Sequence, residues 1–533
     1  MAKLTNGDFQ APFWGATNDY STGRDPLGFQ TTSLSTYATL IPGITNLSSR
    51  IRYYGFYCWI LYEYGKRIRN ISHKKQYHFI RRAEYQLALL MVNGNPKLTK
   101  VPGNTYATNY LATEPNDDLD IASGADKKAQ ENTYWKGDSG AFGQYYAGVL
   151  QQLGLIIIRE KDSSIFICTN EEFNEEFNGI GMATAFMDSI SQDSRELFIA
   201  NIESGLLKKS DAKELFEAFS IVNIAKNSSE WNYYIKLLKI NDSPLQSPTT
   251  ESKYFRNQSA KLLLQHIKNK PKSDWTNFKN DIYELGIKNS IESLTTIQKG
   301  WYYYQLNEYW HYSIELIFNS VLTYLDQKAQ HPMISFTNSY IETLFDEKKS
   351  TLNMIKTSTL DSLILTQYDK NTTTHSYTLS LFKSSSQTWD NAWNGFILLF
   401  RLYFENKGIL NDLMAFAQLH NIEREGDCIS GLKRLEKYFK YDIKEFMTRY
   451  IQNEIINRHI LVAYHKMGTG VKNTLKFSYE DNYLAHIETI EPVWTTPRIY
   501  SLHMILEDLG LISINNNSKT YTLSNEGINF LDN

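Results

Sequence analysis

With 533 residues the chain is long enough for two to four domains, and its 42% hydrophobic and 21% charged content is ordinary for a globular protein. A formal net charge of −3 excludes a global basic field, so any site for a polyanion has to be local. Cys58, Cys168 and Cys428 lie far apart with no Cys-x-x-Cys pair, which speaks against a disulfide framework and for a reducing cytoplasm.

Residues 1 to 35 are polar and rich in Gly, Pro, Asp and Thr, with Phe13, Trp14, Leu27 and Phe29 as isolated anchors. They read as an irregular lead-in packed on the first domain. The start carries no apolar signal segment, and no stretch approaches the ~20 apolar residues of a membrane span, so a cytoplasmic protein without membrane contact is expected. Aromatic residues make up 14% of the chain, a supply suited to helical cores and also to interfaces or base stacking.

Pro42-Gly43 marks a turn, Asn46 or Ser48 offers an N-cap, and between Ile51 and Tyr62 only Arg52 and Gly55 are neither apolar nor aromatic. A helix apolar on every side is buried on every side, so this one should be the mast of the first domain. Pro42, Gly43, Thr45, Arg50, Arg52, Tyr53, Tyr54, Phe56 and Trp59 together form a Pro-Gly-x-Thr loop running into Arg-x-Arg-Tyr-Tyr-x-Phe-x-x-Trp. This pattern resembles the N-terminal region of uncharacterised bacterial proteins often encoded near antiphage-defence genes. The resemblance implies a defence or DNA-maintenance context and assigns no catalytic residue.

Just beyond the mast, Lys66, Arg67, Arg69, Lys74, Lys75, Arg81 and Arg82 fall within 17 residues, with His73 and His78 among them and no Asp or Glu. Such a run concentrates positive field where phosphates could be held, and Arg50 and Arg52 extend it. A helix over about Lys75–Val92 follows, then a long polar loop over 93–139, either a solvated insertion or a functional segment. Helix-plus-hairpin patterns over Tyr145–Cys168 and Arg498–Gly527, each entered through Leu-Gly-Leu-Ile, resemble the latter half of a winged helix. Their helices carry few basic residues, which favours protein contact over reading a major groove.

The middle of the chain predicts a series of helices, the longest over about Gln298–Gln327 with an apolar stripe, and later ones over Asn391–Phe404, Ile409–His420, Cys428–Phe439 and Asp442–His465. Residues 241–252 and 369–388 read as flexible connections. The expected architecture is mainly α and multidomain, with segments 1–200, 201–250, 251–440 and 441–533 and a winged-helix-like unit in the first and last of these.

Catalytic templates are sparse. Arg67 and His73 have the loose spacing of helical HEPN-type ribonucleases, in which a His acts as base and an Arg steadies phosphorane charge. Gly468-Thr-Gly-Val-Lys-Asn-Thr474 lacks Walker spacing, and His459 and His465 lack the partners of a metal site. No metal or cofactor is therefore expected. The composite expectation is a non-enzymatic subunit that holds nucleic acid, DNA in preference to RNA, through Arg50, Arg52, Lys66, Arg67, Arg69, Lys74, Lys75, Arg81 and Arg82. Its winged units would dock an ATPase, helicase or nuclease. The alternatives are an effector ribonuclease using Arg67 and His73, and a kleisin-like bridge to a coiled-coil ATPase.

Overall fold

The structure is a computed structural model that describes residues 25–68, 72–113, 118–126, 133–159, 165–239, 251–273, 275–347, 372–383, 388–422, 426–468, 473–495, 498–515, 518 and 520–532. It is mainly helical and multidomain, with a few small antiparallel sheets. Contacts group the chain into two units that each draw on distant segments, where the sequence suggested four consecutive ones. One unit joins the segment ending at Thr36 to Asn280–Thr495, and the other joins Tyr37–Lys279 to the segment beginning at Thr496.

In the second of these, the mast is the helix Arg52–Arg67, with Arg52–Leu61, Glu63 and Tyr64 all buried. The turn before it needs glycine. Gly43 has φ 73°, and a Cβ there would come within 2.3 Å of the Leu153 side chain. The Tyr54 hydroxyl fixes the turn by donating to the Gly43 carbonyl at 2.8 Å. Tyr53, Tyr57 and Tyr146 form a ring cluster on one side, and Trp59, Phe186, Phe198 and Phe219 form another. The 22-residue helix His73–Gly94 follows, capped by Ser72, whose hydroxyl accepts from the Lys75 amide.

The two helix-plus-hairpin patterns are built alike, atom for atom in several places. The helices Ala147–Gln152 and Ile499–Asp508 end in left-handed glycines, Gly154 (φ 70°) and Gly510 (φ 64°). Leu155 and Leu511 then donate back to the carbonyls of Leu150 and Leu506, both at 2.9 Å, as a six-residue C-cap requires. Hairpins follow, pairing Ile156–Ile158 with Phe166–Cys168 and Ile512–Asn515 with Thr520–Leu523. At the hairpin exits the amides of Thr169 and Ser524 donate to Leu155 and Leu511, both at 3.0 Å. Their hydroxyls accept from Gly179 and Gly527. A Cβ on either glycine would lie 1.9 or 2.1 Å from the carbonyl of Leu155 or Leu511, so both next helices start by lying directly on the preceding strand.

The last residues belong to this unit for a clear reason. Asp508 receives Arg50 Nη1 at 2.6 Å, and Trp231 Nε1 donates to the Leu509 carbonyl at 2.9 Å.

The other unit is organised by the 30-residue helix Thr296–Leu325, which opens on a reciprocal capping box between Thr295 and Gln298. The expected stripe is in fact burial all round, and two carboxylates inside it are paired. Glu308 accepts from Ser33 (2.6 Å) and from the Thr495 amide (2.9 Å), while Glu315 takes His311 Nε2 (2.7 Å) and the Val493 amide (2.9 Å). Burial alone would lower the His311 pKa, but Glu315 beside it, with Glu308 adding, lifts it to about 9. The helix Thr388–Asn406 packs along this one, and a three-stranded sheet has Tyr483–His486 between His331–Pro332 and Phe477–Glu480. The expected Asp442–His465 helix is Ile443–Tyr450 and Asn457–Gly468, joined by a π-helical turn over Ile451–Ile456. Helices Gln30–Leu40 and Thr374–Lys383 occupy parts of stretches that read as irregular or flexible, and Asn104–Leu111 and Ile121–Ala125 lie inside the long polar loop.

Candidate nucleic-acid interface

The mast ends in Lys66 and Arg67, where cations complement the negative end of the helix dipole. The next helix begins with the opposite arrangement. Lys74 and Lys75 stand in its first turn with no acidic residue there, although a helix N-terminus favours anions. Both lysines are exposed. Together with Tyr64, His78, Phe79, Arg82 and Glu203 they line a cleft of about 460 Å³.

Arg82 is held at the edge of this cleft by a bidentate pair with Asp126 (2.8 and 2.6 Å) and by donation to the Ile202 and Glu203 carbonyls. His78 Nε2 reaches the same carboxylate at 2.9 Å. Partial burial works against an ionised Asp126, but the bonds and charges of Arg82 and His78 outweigh it and hold the group below the usual carboxylate range. Arg67 is shared between Glu63 (2.7 Å) and Glu196 (2.8 Å). Lys66 is exposed, with Nζ 6.0 Å from the centre of the Tyr62 ring.

Three of the other arginines in the expected set point inward. Arg50 pairs with Asp508. Arg52 is 3% exposed and donates to Glu230 (2.9 Å), the Ser220 carbonyl (2.6 Å) and Ser189 (3.2 Å). Arg81 is buried, donates to the carbonyls of Ala125, Trp135 and Gly137, and lies over the Tyr134 ring. A phosphate could reach any of the three only by breaking internal pairs, so the accessible set is Lys66, Lys74, Lys75 and the rim residues Arg67 and Arg82. Arg69 lies outside the described residues.

No hydrogen bond or ion pair joins Arg67 to His73 among the described residues; the His73 ring lies against Tyr77. Among the described residues there is also no group of three or more His, Cys, Asp or Glu able to hold a metal. His459 is a core residue whose Nδ1 bonds to the Pro26 carbonyl and whose Nε2 accepts from the Lys476 amide.

One feature escaped the sequence. Glu84 is buried in the middle of the His73–Gly94 helix and accepts from Tyr57 (2.9 Å), Tyr134, and the amides of Ala141 (2.9 Å) and Phe142 (2.5 Å). Burial raises its pKa to about 7 against the downward pull of those donors. It thereby pins the end of the 93–139 loop to the helix. Gly140 is required there, since a Cβ would meet Glu84 Oε2 at 2.4 Å.

Among the thiols, Cys58 and Cys428 are buried and burial pushes both well up, whereas Cys168 is half-buried and donates to the Cys58 carbonyl. Cys168 lines a second cleft, of about 330 Å³, beside Lys66 and Tyr64. No family model, no curated protein and no solved structure matches the chain.

Proposed function

We propose that the chain is a non-enzymatic subunit of a bacterial antiphage-defence or DNA-maintenance complex that holds nucleic acid, DNA before RNA, and docks a protein partner that does the chemistry. The observation that carries the nucleic-acid half is the cleft faced by Lys74 and Lys75 at the positive end of their own helix. That arrangement is unfavourable in the free protein, and a phosphate would relieve it. Contacts of this kind read no sequence. The partner half is supported by the hairpins. Ile158 and Ile167 on one and Ile514 on the other are between 37% and 42% exposed, and the helices ahead of both hairpins offer few cations. The winged-helix reading and the choice of an ATPase, helicase or nuclease as partner belong to this proposal.

The test is binding of a short duplex and a single strand to the full chain across a salt series. Replacing Lys66, Lys74 and Lys75 together by Glu should weaken binding to all sequences equally and flatten the log–log salt slope by roughly two to three. Unchanged affinity and slope would sink the nucleic-acid half. Arg67, tied to two carboxylates, is poorly placed as the working arginine of a ribonuclease, and His73→Ala should leave RNA uncleaved in wild type and variant alike.

A further inference from the structure

The loop closed by Glu84 forms one wall of a different cleft, of about 480 Å³, a size common for small-ligand sites. Tyr106, Trp135 and Tyr145 line it with aromatic rings and Asn46 and Asn109 with amides, and Lys100 lines it too, with its ammonium 5.6 Å from the centre of the Tyr500 ring. The described residues of this wall are braced by internal contacts although they lie at the surface. Arg81 fixes the backbone of Trp135 and Gly137, the Trp135 indole N–H donates to Gln144 at 3.1 Å, and Tyr145 meets the indole edge to face at 5.1 Å. Below, Tyr85 stacks on Tyr134, which is itself bonded to Glu84.

Half-exposed aromatic rings held in fixed positions beside amides and a lysine match the chemistry of a nucleobase. The base has two π-faces, edge donors and acceptors that an Asn amide can pair with, and an attached phosphate. We propose that this cleft takes one base of a single-stranded nucleic acid, stacked on the Trp135 indole that Tyr145 braces edge to face, with its edge read by Asn46 and Asn109 and its phosphate near Lys100. The inference rests on the nucleic-acid half of the proposed function and adds a base subsite to it. Neighbouring residues of one helix serve the two places: Arg82 lines the basic cleft and Arg81 braces the aromatic one. A strand held by the lysines would thus be anchored by its backbone at one place and by a base at the other.

The experiment compares an eight-residue oligothymidylate with an abasic oligomer of the same length and charge, by fluorescence anisotropy on the full chain. Oligothymidylate should bind about tenfold more tightly, the scale of one aromatic–base stack. Trp135→Ala and, independently, Tyr145→Leu should bring the ratio close to one while leaving the salt slope intact, with thermal scans confirming that each variant is folded. The Lys66, Lys74 and Lys75 triple variant should do the converse, flattening the slope while the ratio persists. A ratio unchanged in both aromatic variants, or equal affinity for the two oligomers in wild type, overturns the base subsite alone. An unchanged slope in the lysine variant overturns the basic cleft alone, and no binding of either oligomer overturns both.

Discussion

A buried charge is held either by an opposite charge or by several dipoles, and this chain uses both. Arg52 and Glu230 are an ion pair, 3% and 1% exposed at the side chain. Removing one partner strands the other, so Glu230→Gln should cost about 3–5 kcal/mol in denaturant unfolding, and a variant as stable as wild type would contradict the pairing. Glu84 has only dipoles, and burial wins, lifting its pKa from the ordinary 4.5 to about 7. Because the folded value is the higher one, the folded protein binds the extra proton between those two pH values. Stability from this site is then full below about pH 4.5 and declines until about pH 7, by up to roughly 3 kcal/mol. Asp508, also raised to about 7, shifts stability in the same direction, so the measurement must be a difference. The gap between wild type and non-titrating Glu84→Gln should shrink as pH rises through that window; a constant gap would show that Glu84 stays ionised. None of these partnerships was legible in the sequence. Arg52 and Glu230 stand 178 positions apart and Arg50 and Asp508 stand 458 apart, so the arginines read as surface cations when they are internal ones.

At the scale of helices, glycine decides how closely they approach. In the mast, a Cβ on Gly55 would come 2.4 Å from the Tyr234 hydroxyl and 3.0 Å from Phe186. On the helix Thr388–Asn406, a Cβ on Gly395 would come 2.7 Å from the Ser313 carbonyl, which is backbone and cannot swing aside. Gly55→Ala and Gly395→Ala should each destabilise by about 1–3 kcal/mol, Gly395→Ala more. Gly65, in the same helix as Gly55, has nothing within 4 Å of its would-be Cβ. There alanine should instead add about 0.5–1 kcal/mol by helix propensity, and thermal scans of the three variants would separate packing from propensity. The helices themselves were largely readable, because an apolar run such as Ile51–Tyr62 leaves few other options. Those missed, including Gln30–Leu40 and Asn104–Leu111, are rich in Thr, Ser, Asn and Tyr, whose intrinsic preference for helix is weak. Repetition was readable too: two copies of Leu-Gly-Leu-Ile announced two turns that share the same capping bonds.

At the scale of the whole molecule, grouping could not be read from composition, since the final segment joins a unit that begins at Tyr37. Deleting residues 496–533 should therefore not release a tail. It should leave Arg50 buried without its carboxylate and Trp231 without its acceptor, and lower the melting temperature of Tyr37–Lys279 or render it insoluble; an unaltered melting profile would refute the grouping. The basic run was legible as composition. Which of its members face outward was not, because exposure is settled by carbonyls and carboxylates supplied from other segments.

The three thiols carry a practical consequence. Cys58 and Cys428 are sealed in cores, while Cys168 is half-buried and lines the cleft it shares with Lys66 and Tyr64. A maleimide dye added to the native chain should therefore couple at one place, with no engineered cysteine, next to the face on which the lysines stand. The molecule comes with its own attachment point for an optical reporter, and a change in that dye's emission on adding oligonucleotide would register occupancy of the basic face directly.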